Sequence, residues 1–455
     1  MDEELMNILE SMQTLFETRK FNELKEELLK LEPQDIAIFM EDNLDDKDQI
    51  LFFRLLPKEI ASDVFVEIST ELQEKLIKMF TDKELKEVID DMFMDDTVDI
   101  IEEMPSNVVK RILKTASPED RQIINQLLEY PEDSAGTVMT TEYVNLRSNM
   151  TVQESFDRIR KTGVNKETIY TCYVTDEKRK LLGIVSVKDL LLASKDDLIK
   201  DIMDTDIISV STLTDKEEVA LTFSKYDFLA VPVIDGEGCL VGIVTIDDAV
   251  DVIQEEATED IQKMAAILPT TDKPYLQTSV LRIYLSRLPW LLILMVSATF
   301  TSMILSSFEA KLVGALYACI PMLMDTSGNS GNQASVTIIR SLALGEVQFK
   351  DYFKVLWKEL RIAFMLGLSI ALVCFAKLML VDRYLYNPDI TIMYALVIAL
   401  SLFIAIFIAK IVGCTLPLLV KKCKLDPAVV ASPFITTTVD ALALLVYCSI
   451  AFTII

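Results

Sequence analysis

Beyond residue 288 the chain repeats one kind of stretch, twenty or more largely apolar residues, at about 288–307, 312–339, 360–380, 390–418 and 427–453. Each is long enough to cross the ~30 Å hydrocarbon core of a bilayer as a helix. Lipid offers no partner to backbone N–H and C=O groups, so such stretches must satisfy them internally, as helices do. Five spans leave the two chain ends on opposite sides of the membrane. Basic residues fall at Arg282 and Arg287, at Arg340, Lys350, Lys354, Lys358 and Arg361, and at Lys421, Lys422 and Lys424. The other connectors hold only Glu309 with Lys311, and Asp382 with Arg383 and Asp389. The excess of positive charge on alternate connectors predicts a cytoplasmic N-terminus and an outside C-terminus.

The charge divides at the same place. Residues 281–455 carry net +5, whereas residues 1–280 carry 61 acidic and 30 basic side chains, net −31, together the −26 of the whole chain. A soluble part this acidic argues against nucleic acid and anionic headgroups as partners, and suits either a cation-binding surface or simply a solvated acidic face. Met1-Asp2-Glu3-Glu4 has neither the basic region nor the apolar core of a signal peptide, which predicts a cytosolic soluble part. Seven scattered cysteines without a Cys-x-x-Cys, and no histidine, argue against zinc and fit a reducing compartment. No nucleophile–base pair or P-loop is present, so the chain is not expected to be an enzyme.

Residues 1–130 predict an array of short helices. Pro33, Pro57, Pro105 and Pro118 each stand near a helix start, with acids or amides in the first turn and apolar positions at helical spacing after them. The knot Asp90-Asp91, Asp95-Asp96 and Asp99 places Asp95 and Asp99 four apart on one helix face, where like charges repel unless a cation intervenes.

Residues 131–200 and 201–255 predict two similar α/β modules. Thr168–Asp176 with Leu182–Asp189, and Phe228–Asp235 with Leu240–Asp248, repeat one pattern: apolar strand, Asp/Gly turn, strand with Gly near its start, acid opening a helix. This resembles a tandem pair of CBS domains, which bind adenosine nucleotides or ions and dimerise. By that resemblance Lys188 and Asp189 contact the ribose and phosphates of ATP, Phe228 and Pro232 flank its base, and Tyr170 or Thr171 stands at the aromatic position. A long helix over 247–280 follows, with Asp247, Asp248, Asp251, Glu255, Glu256, Glu259 and Asp260 spread along it. Its acids repel one another unless hard divalent ions bridge them.

In residues 281–455 two features are out of place in lipid. One is Asp440, fourteen residues beyond Asp426-Pro427, so about 21 Å along if the last helix begins there. A carboxylate at that depth costs roughly 2.5–3.5 kcal/mol unless a cavity or cation receives it. The other is Asp325-Thr326-Ser327-Gly328-Asn329-Ser330-Gly331-Asn332-Gln333, too polar to face lipid. Gly328 and Gly331 suit close helix packing, whereas the amides and Asp325 suit a water-filled path.

This run, with Arg340-Ser341-Leu342-Ala343-Leu344-Gly345-Glu346 after it, Arg287-Leu288-Pro289-Trp290 before it, and Asp426-Pro427-Ala428, Pro433 and Asp440 beyond, resembles the membrane part of the MgtE magnesium channel family. Ser327 and Ser432 are departures from that pattern. The resemblance covers the chain in order: helical N-terminal array, CBS pair, long connecting (plug) helix, and an all-α membrane domain of five transmembrane helices. It implies a homodimer in a bacterial-type plasma membrane that admits Mg2+ down its gradient and closes when cytosolic Mg2+ rises. It puts regulatory Mg2+ among Asp63, Asp95 and Asp99, Asp215, Glu217 and Asp227, and Asp247, Asp248, Asp251, Glu256, Glu259 and Asp260. Mg2+ sheds water reluctantly, so the pore expected from it has one central carboxylate, Asp440. Thr436, Ser432, Asn329, Asn332 and Thr337 contact the ion's waters, and Asp325 is a further acid. The rival readings are a CBS-regulated channel for anions or for divalent cations broadly, and a membrane-bound Mg2+ or nucleotide sensor that transports nothing.

Overall fold

The computed structural model describes the chain except residues 1–2, 270–274, 276–277, 309–313, 386–387, 389, 431 and 455, and except the side chains of residues 3–7, 315, 430 and 432. Glu309, Lys311 and Asp389 of the connectors lie outside the described residues, as does the side chain of Ser432. The chain forms two compact units, Met1–Ile253 and Gln254–Ile455.

The first unit opens with ten helices of 8 to 15 residues, from Glu3–Glu17 to Pro118–Leu127. Local chemistry sets their ends. Thr81 and Glu84 close a reciprocal capping box, and Ser117 accepts from the Asp120 amide at 3.1 Å. Pro33 and Pro118 sit inside the first turn as expected, but Pro57 and Pro105 stand one residue earlier, as N-caps. Polar ties recur at sequence separations of 29 to 34: Lys75 to Asp46, Lys58 to Glu87, Arg54 to Glu84, Gln34 to Glu67, and Arg111 to the Ile77 carbonyl. These ties join helices two or three apart in sequence, as in a stacked array, with Phe39, Phe52, Phe65 and Leu76 in its buried core.

Two three-stranded sheets follow with the same topology. In the first, β1 (Tyr143–Arg147) runs parallel to β2 (Thr168–Thr175), which pairs antiparallel with β3 (Leu181–Ser186). In the second, β4 (Val210–Ser211), β5 (Ala230–Ile234) and β6 (Leu240–Thr245) repeat that order. The repeated glycines are Gly183 and Gly242. A Cβ on Gly183 would lie 2.7 Å from Met203 Sδ and 2.9 Å from the Asp204 carbonyl. On Gly242 it would lie 2.7 Å from Met139 Sδ and 2.8 Å from the Thr140 carbonyl. Only glycine admits such close approach. Thr140 bridges to Ile243 and Asp204 to Ile184, so residues 134–140 serve the second sheet and residues 203–204 the first. The modules are thus interleaved, and a cut between residues 200 and 201 separates strand partners.

Among the described residues the second unit contains four helices long and apolar enough to cross a membrane: Val280–Phe308, Phe349–Leu385, Ile392–Lys422 and Pro433–Ile454. The remaining expected span is a helix over Ile320–Ala343, 24 residues and so ~36 Å long, with the polar run in its middle. We call it the polar helix, and Ile392–Lys422 the central helix. The polar helix packs on the central helix and on the last helix, Ser432–Ile454. The approach is close. A Cβ on Gly413 of the central helix would fall 2.2 Å from the Gly331 carbonyl oxygen. One on Gly331 would lie 3.1 Å from Val439 and 3.2 Å from the Ala409 carbonyl. In lipid, where apolar surface gains nothing by helix association, such small-residue contacts hold helices together.

The last helix does not begin at Pro427. Residues Pro427–Val430 form a separate 3-10 turn, which Asp426 caps by accepting from the Ala428 amide at 2.8 Å, and the helix proper starts at Ser432. Asp440 therefore lies about 12 Å from the helix start rather than 21 Å.

Candidate functional site

In the second unit the polar helix and the last helix meet at Asp440. A Cβ on Gly328 would lie 2.9 Å from the Thr436 methyl and 3.0 Å from Asp440 Oδ1, so glycine at 328 is what lets the carboxylate lie against the polar helix. Asp440 Oδ1 is buried and has no hydrogen-bond partner, and the same holds for Asn332 Oδ1, one turn along the polar helix. Asn329 donates to Asp325 Oδ1 at 3.1 Å, and Asp325 is the acid whose charge acts on Asp440. Asp440, Thr436, Asp325 and Asn329 are thus brought together. Thr337 lies further along, its hydroxyl donating to the Gln333 carbonyl at 2.8 Å. Two buried oxygens without donors, one of them from the Asp440 carboxylate itself, make a seat for a cation that carries its own hydrogen-bond donors, as hydrated Mg2+ does.

In the first unit the acids of the eighth helix (Met94–Glu103) and of the start of the connecting helix (Ile246–Met264) share one field. Asp95 is 8 % exposed, and its Oδ1 has no partner. Burial, then the charges of Asp248, Asp96 and Glu167, hold its carboxyl well above the usual range. Burial and the neighbouring acids raise Asp96 to about 6 and Glu167 to about 7. Burial also raises Asp248 to about 6, opposed by its hydrogen bonds from Thr245. Asp251 is raised by burial and by Asp247, and Glu67 by burial and by Asp251 and Asp63. Among the described residues no three carboxylates or thiols converge closely enough to hold a bare metal ion. A hydrated divalent ion fits better, because its water shell spans the gaps.

Other expected residues are dispersed. Asp215 caps the helix Lys216–Tyr226 by accepting from the Glu217 amide at 2.9 Å, and Asp227 ends that helix in a left-handed conformation (φ 55°). Eleven residues separate the two ends, ~16 Å, so these acids do not form one site. Asp99 and Asp63 are exposed on their helices.

In the second unit Glu256, Glu259 and Asp260 are half-buried. Lys263 pairs with Glu259 at 2.9 Å and with Asp426 at 2.7 Å, and Met264 packs on Ile339 and Ala428. Burial and then the Asp426 charge raise the Asp260 carboxyl.

Of the nucleotide candidates, Tyr170 is exposed on β2 and Thr171 pairs with Ser186 across to β3. Lys188 and Asp189 are exposed in the first turn of the Val187–Leu192 helix, where Asp189 accepts from the Ser186 hydroxyl at 2.5 Å. Phe228 stacks on Tyr226 with centroids 5.5 Å apart, and Pro232 is buried in β5.

The sequence reading missed Asp96 and Glu167 as members of the acidic field, and Lys263 with Asp426 as its counterpart in the second unit. Asp96 had a visible signal, its place in the acidic knot. Glu167 had none, because only the β1–β2 pairing brings it to Glu142, whose carbonyl accepts from its amide at 2.9 Å. It also missed Lys410 and Glu359, charges within apolar helices.

Comparison with known proteins bears on this arrangement. A family described as divalent cation transporter, MgtE, matches residues 320–450. The MgtE intracellular N domain matches 31–133, and the CBS domain matches 135–196 and 199–255. The magnesium transporter MgtE of Thermus thermophilus is 36% identical over 97% of this chain and 97% of its own. That of Enterococcus faecalis is 32% identical over 99% and 97%. Among solved structures, the cytosolic domain of the Mg2+ channel MgtE in complex with ATP is 36% identical, covers 54% of this chain and 99% of its own, and superposes with a TM-score of 0.51.

Proposed function

Because the chain belongs to the MgtE family of magnesium transporters, and so moves Mg2+ across a membrane and is not an enzyme, we propose that it does so as a passive importer gated by the ion itself. The observation that carries this reading is the buried, partnerless Asp440 Oδ1 against Gly328 of the polar helix. The polar helix is then the fifth span. In a homodimer Asp440 is duplicated about the axis, and two facing carboxylates favour a dication over monovalent ions. Thr436, Asn329, Asn332 and Thr337, with Ser432, contact the ion's waters, and Asp325 holds Asn329 in place.

Regulation falls to the acids of the soluble part, in a cytoplasmic N-terminal region of a plasma-membrane protein. Free of cations, Asp63, Asp95, Asp99, Asp247, Asp248 and Asp251 repel one another, whereas hydrated Mg2+ among them neutralises the field and closes the pore. Asp215, Glu217 and Asp227 modulate this from the second module, and Glu256, Glu259 and Asp260 from the end of the connecting helix. A ligand shifts such an equilibrium only by its difference in affinity for the two states, and the raised carboxyls are where that difference resides. ATP, bound in the relative of known structure, is the candidate modulator at Lys188, Asp189, Phe228 and Pro232, with Tyr170 or Thr171.

The test is Mg2+ flux into liposomes, with Mg2+ varied on the face bearing the acidic domains. Wild-type flux should fall as that Mg2+ rises, and Asp440→Ala should carry none. Normal flux through Asp440→Ala removes the pore assignment.

A further inference from the structure

The membrane unit buries an ion pair away from the proposed cation path. Lys410 of the central helix is 4 % exposed and Glu359 of the Tyr352–Lys377 helix 7 %, with Lys410 Nζ 3.7 Å from Glu359 Oε2. That oxygen has no hydrogen bond of its own. Around the pair the two helices meet through apolar contacts in a regular antiparallel order. A Cβ on Gly367 would lie 3.1 Å from the Phe403 ring, and Val355 packs with Cys414 and Leu418. From Phe403 to Lys410 is seven residues, and from Gly367 back to Glu359 is eight, so the pair lies two turns along the same seam.

Apolar helices in lipid have little to specify their axial register, because sliding one past the other exposes nothing to water. A single buried ion pair does specify it, and setting register is the best-attested use of such pairs. A slip of one turn, ~5.4 Å, parts the charges and leaves both unpaired. The adjoining face of the central helix carries Ala409 and Gly413, the residues that press on Gly331 of the polar helix. With a Cβ at Gly413 already 2.2 Å from the Gly331 carbonyl, no other residue of the central helix fits there. We propose that the Lys410–Glu359 pair is a positioning element for transport, fixing the register of the central helix so that Gly413 meets Gly331 and the polar helix is held against Asp440. This rests on the transport reading, which wild-type flux in the same vesicles checks separately.

The native Cys414 reports the register directly, since it is fully buried one turn from Lys410. The full chain is reconstituted in liposomes as wild type, Lys410→Met, Glu359→Leu, the apolar double Lys410→Met/Glu359→Leu, and the charge swap Lys410→Glu/Glu359→Lys. Initial Mg2+ uptake and alkylation of Cys414 by N-ethylmaleimide, located by peptide mass spectrometry, are read together. The single variants and the apolar double should lose at least about tenfold in uptake and expose Cys414. The swap should recover uptake to within about threefold and protect Cys414 again. Should the single variants fail to assemble, the two doubles decide. An apolar double that transports like wild type with Cys414 protected overturns the proposal, as does a swap that recovers neither readout.

Discussion

The acidic field of the first unit should make its stability depend on pH in the direction opposite to that of most carboxylates. Burial and neighbouring acids push Asp96 and Asp248 up to about 6 from an ordinary 3.8, and Glu167 up to about 7 from 4.5. A carboxyl whose proton affinity rises on folding binds more protons folded than unfolded, so stability falls as pH rises through the window between the two values. From pH 5 to 7.5 each aspartate loses about 1.4 kcal/mol by linkage, and half-exposed Glu167 at most about 2.4 kcal/mol, which solvent screening reduces. The three groups share one mutual repulsion, so the combined loss is about 2–3 kcal/mol. Millimolar Mg2+ should return the carboxyls toward their ordinary values and flatten the dependence. The assay is hydrogen exchange of the Met94–Glu103 helix in the full-length protein, at pH 5 to 7.5, corrected for intrinsic exchange, with Mg2+ or with EDTA. In EDTA protection should fall by about 30- to 150-fold across that range, and in Mg2+ by less than about threefold. Protection that rises with pH in EDTA, or a slope that Mg2+ leaves unchanged, refutes the reasoning.

Two variants test the packing and the gating. Gly413→Ala sets a methyl 2.2 Å from the Gly331 carbonyl oxygen, and the helices must part by about 1 Å at a cost of roughly 1–3 kcal/mol; lower thermal stability in detergent and reduced Mg2+ flux are expected, and unchanged values for both contradict the packing. Asp248→Asn with Asp251→Asn removes two of the acids that Mg2+ would neutralise; flux should persist at Mg2+ levels that stop the wild type, and retained inhibition in the liposome assay counts against the gating reading.

The architecture was readable because it is written locally. Proline and acid at helix starts, paired strand–glycine–strand patterns and long apolar runs each specify an element from a few adjacent residues. Asp440 stood out in the sequence because an apolar run gives a lone carboxylate no neighbour to pair with, and the fold sets it against Gly328. Asp426 shows where local reading stops. Asp426-Pro427 has the form of a helix start, and it does cap a turn, but the turn ends after Val430 and the helix restarts at Ser432. Its ion pair with Lys263 spans more than 160 residues of sequence. Glu167 enters the acidic field only through strand pairing, and Lys410 finds Glu359 only through the packing of two helices that each read as plain spans. Partners of this kind carry no signature in spacing, because the fold alone sets their distance.

The interleaved modules hold a duplication that has diverged in use. Ser186 with Asp189 and Thr245 with Asp248 are the same cap, hydroxyl to carboxylate at 2.5 Å in both, each opening the helix that follows a module's last strand. In the first copy that helix stops at Leu192 after six residues, and in the second it continues to Met264 over nineteen. Asp248 is therefore both the fastening of a long rod and a member of the acidic field, with Oδ2 already committed to Thr245. An ion drawn to Asp248 must share a carboxylate with the rod's first turn. One carboxylate thus stands at once in the acidic field and at the point from which the rod is hung.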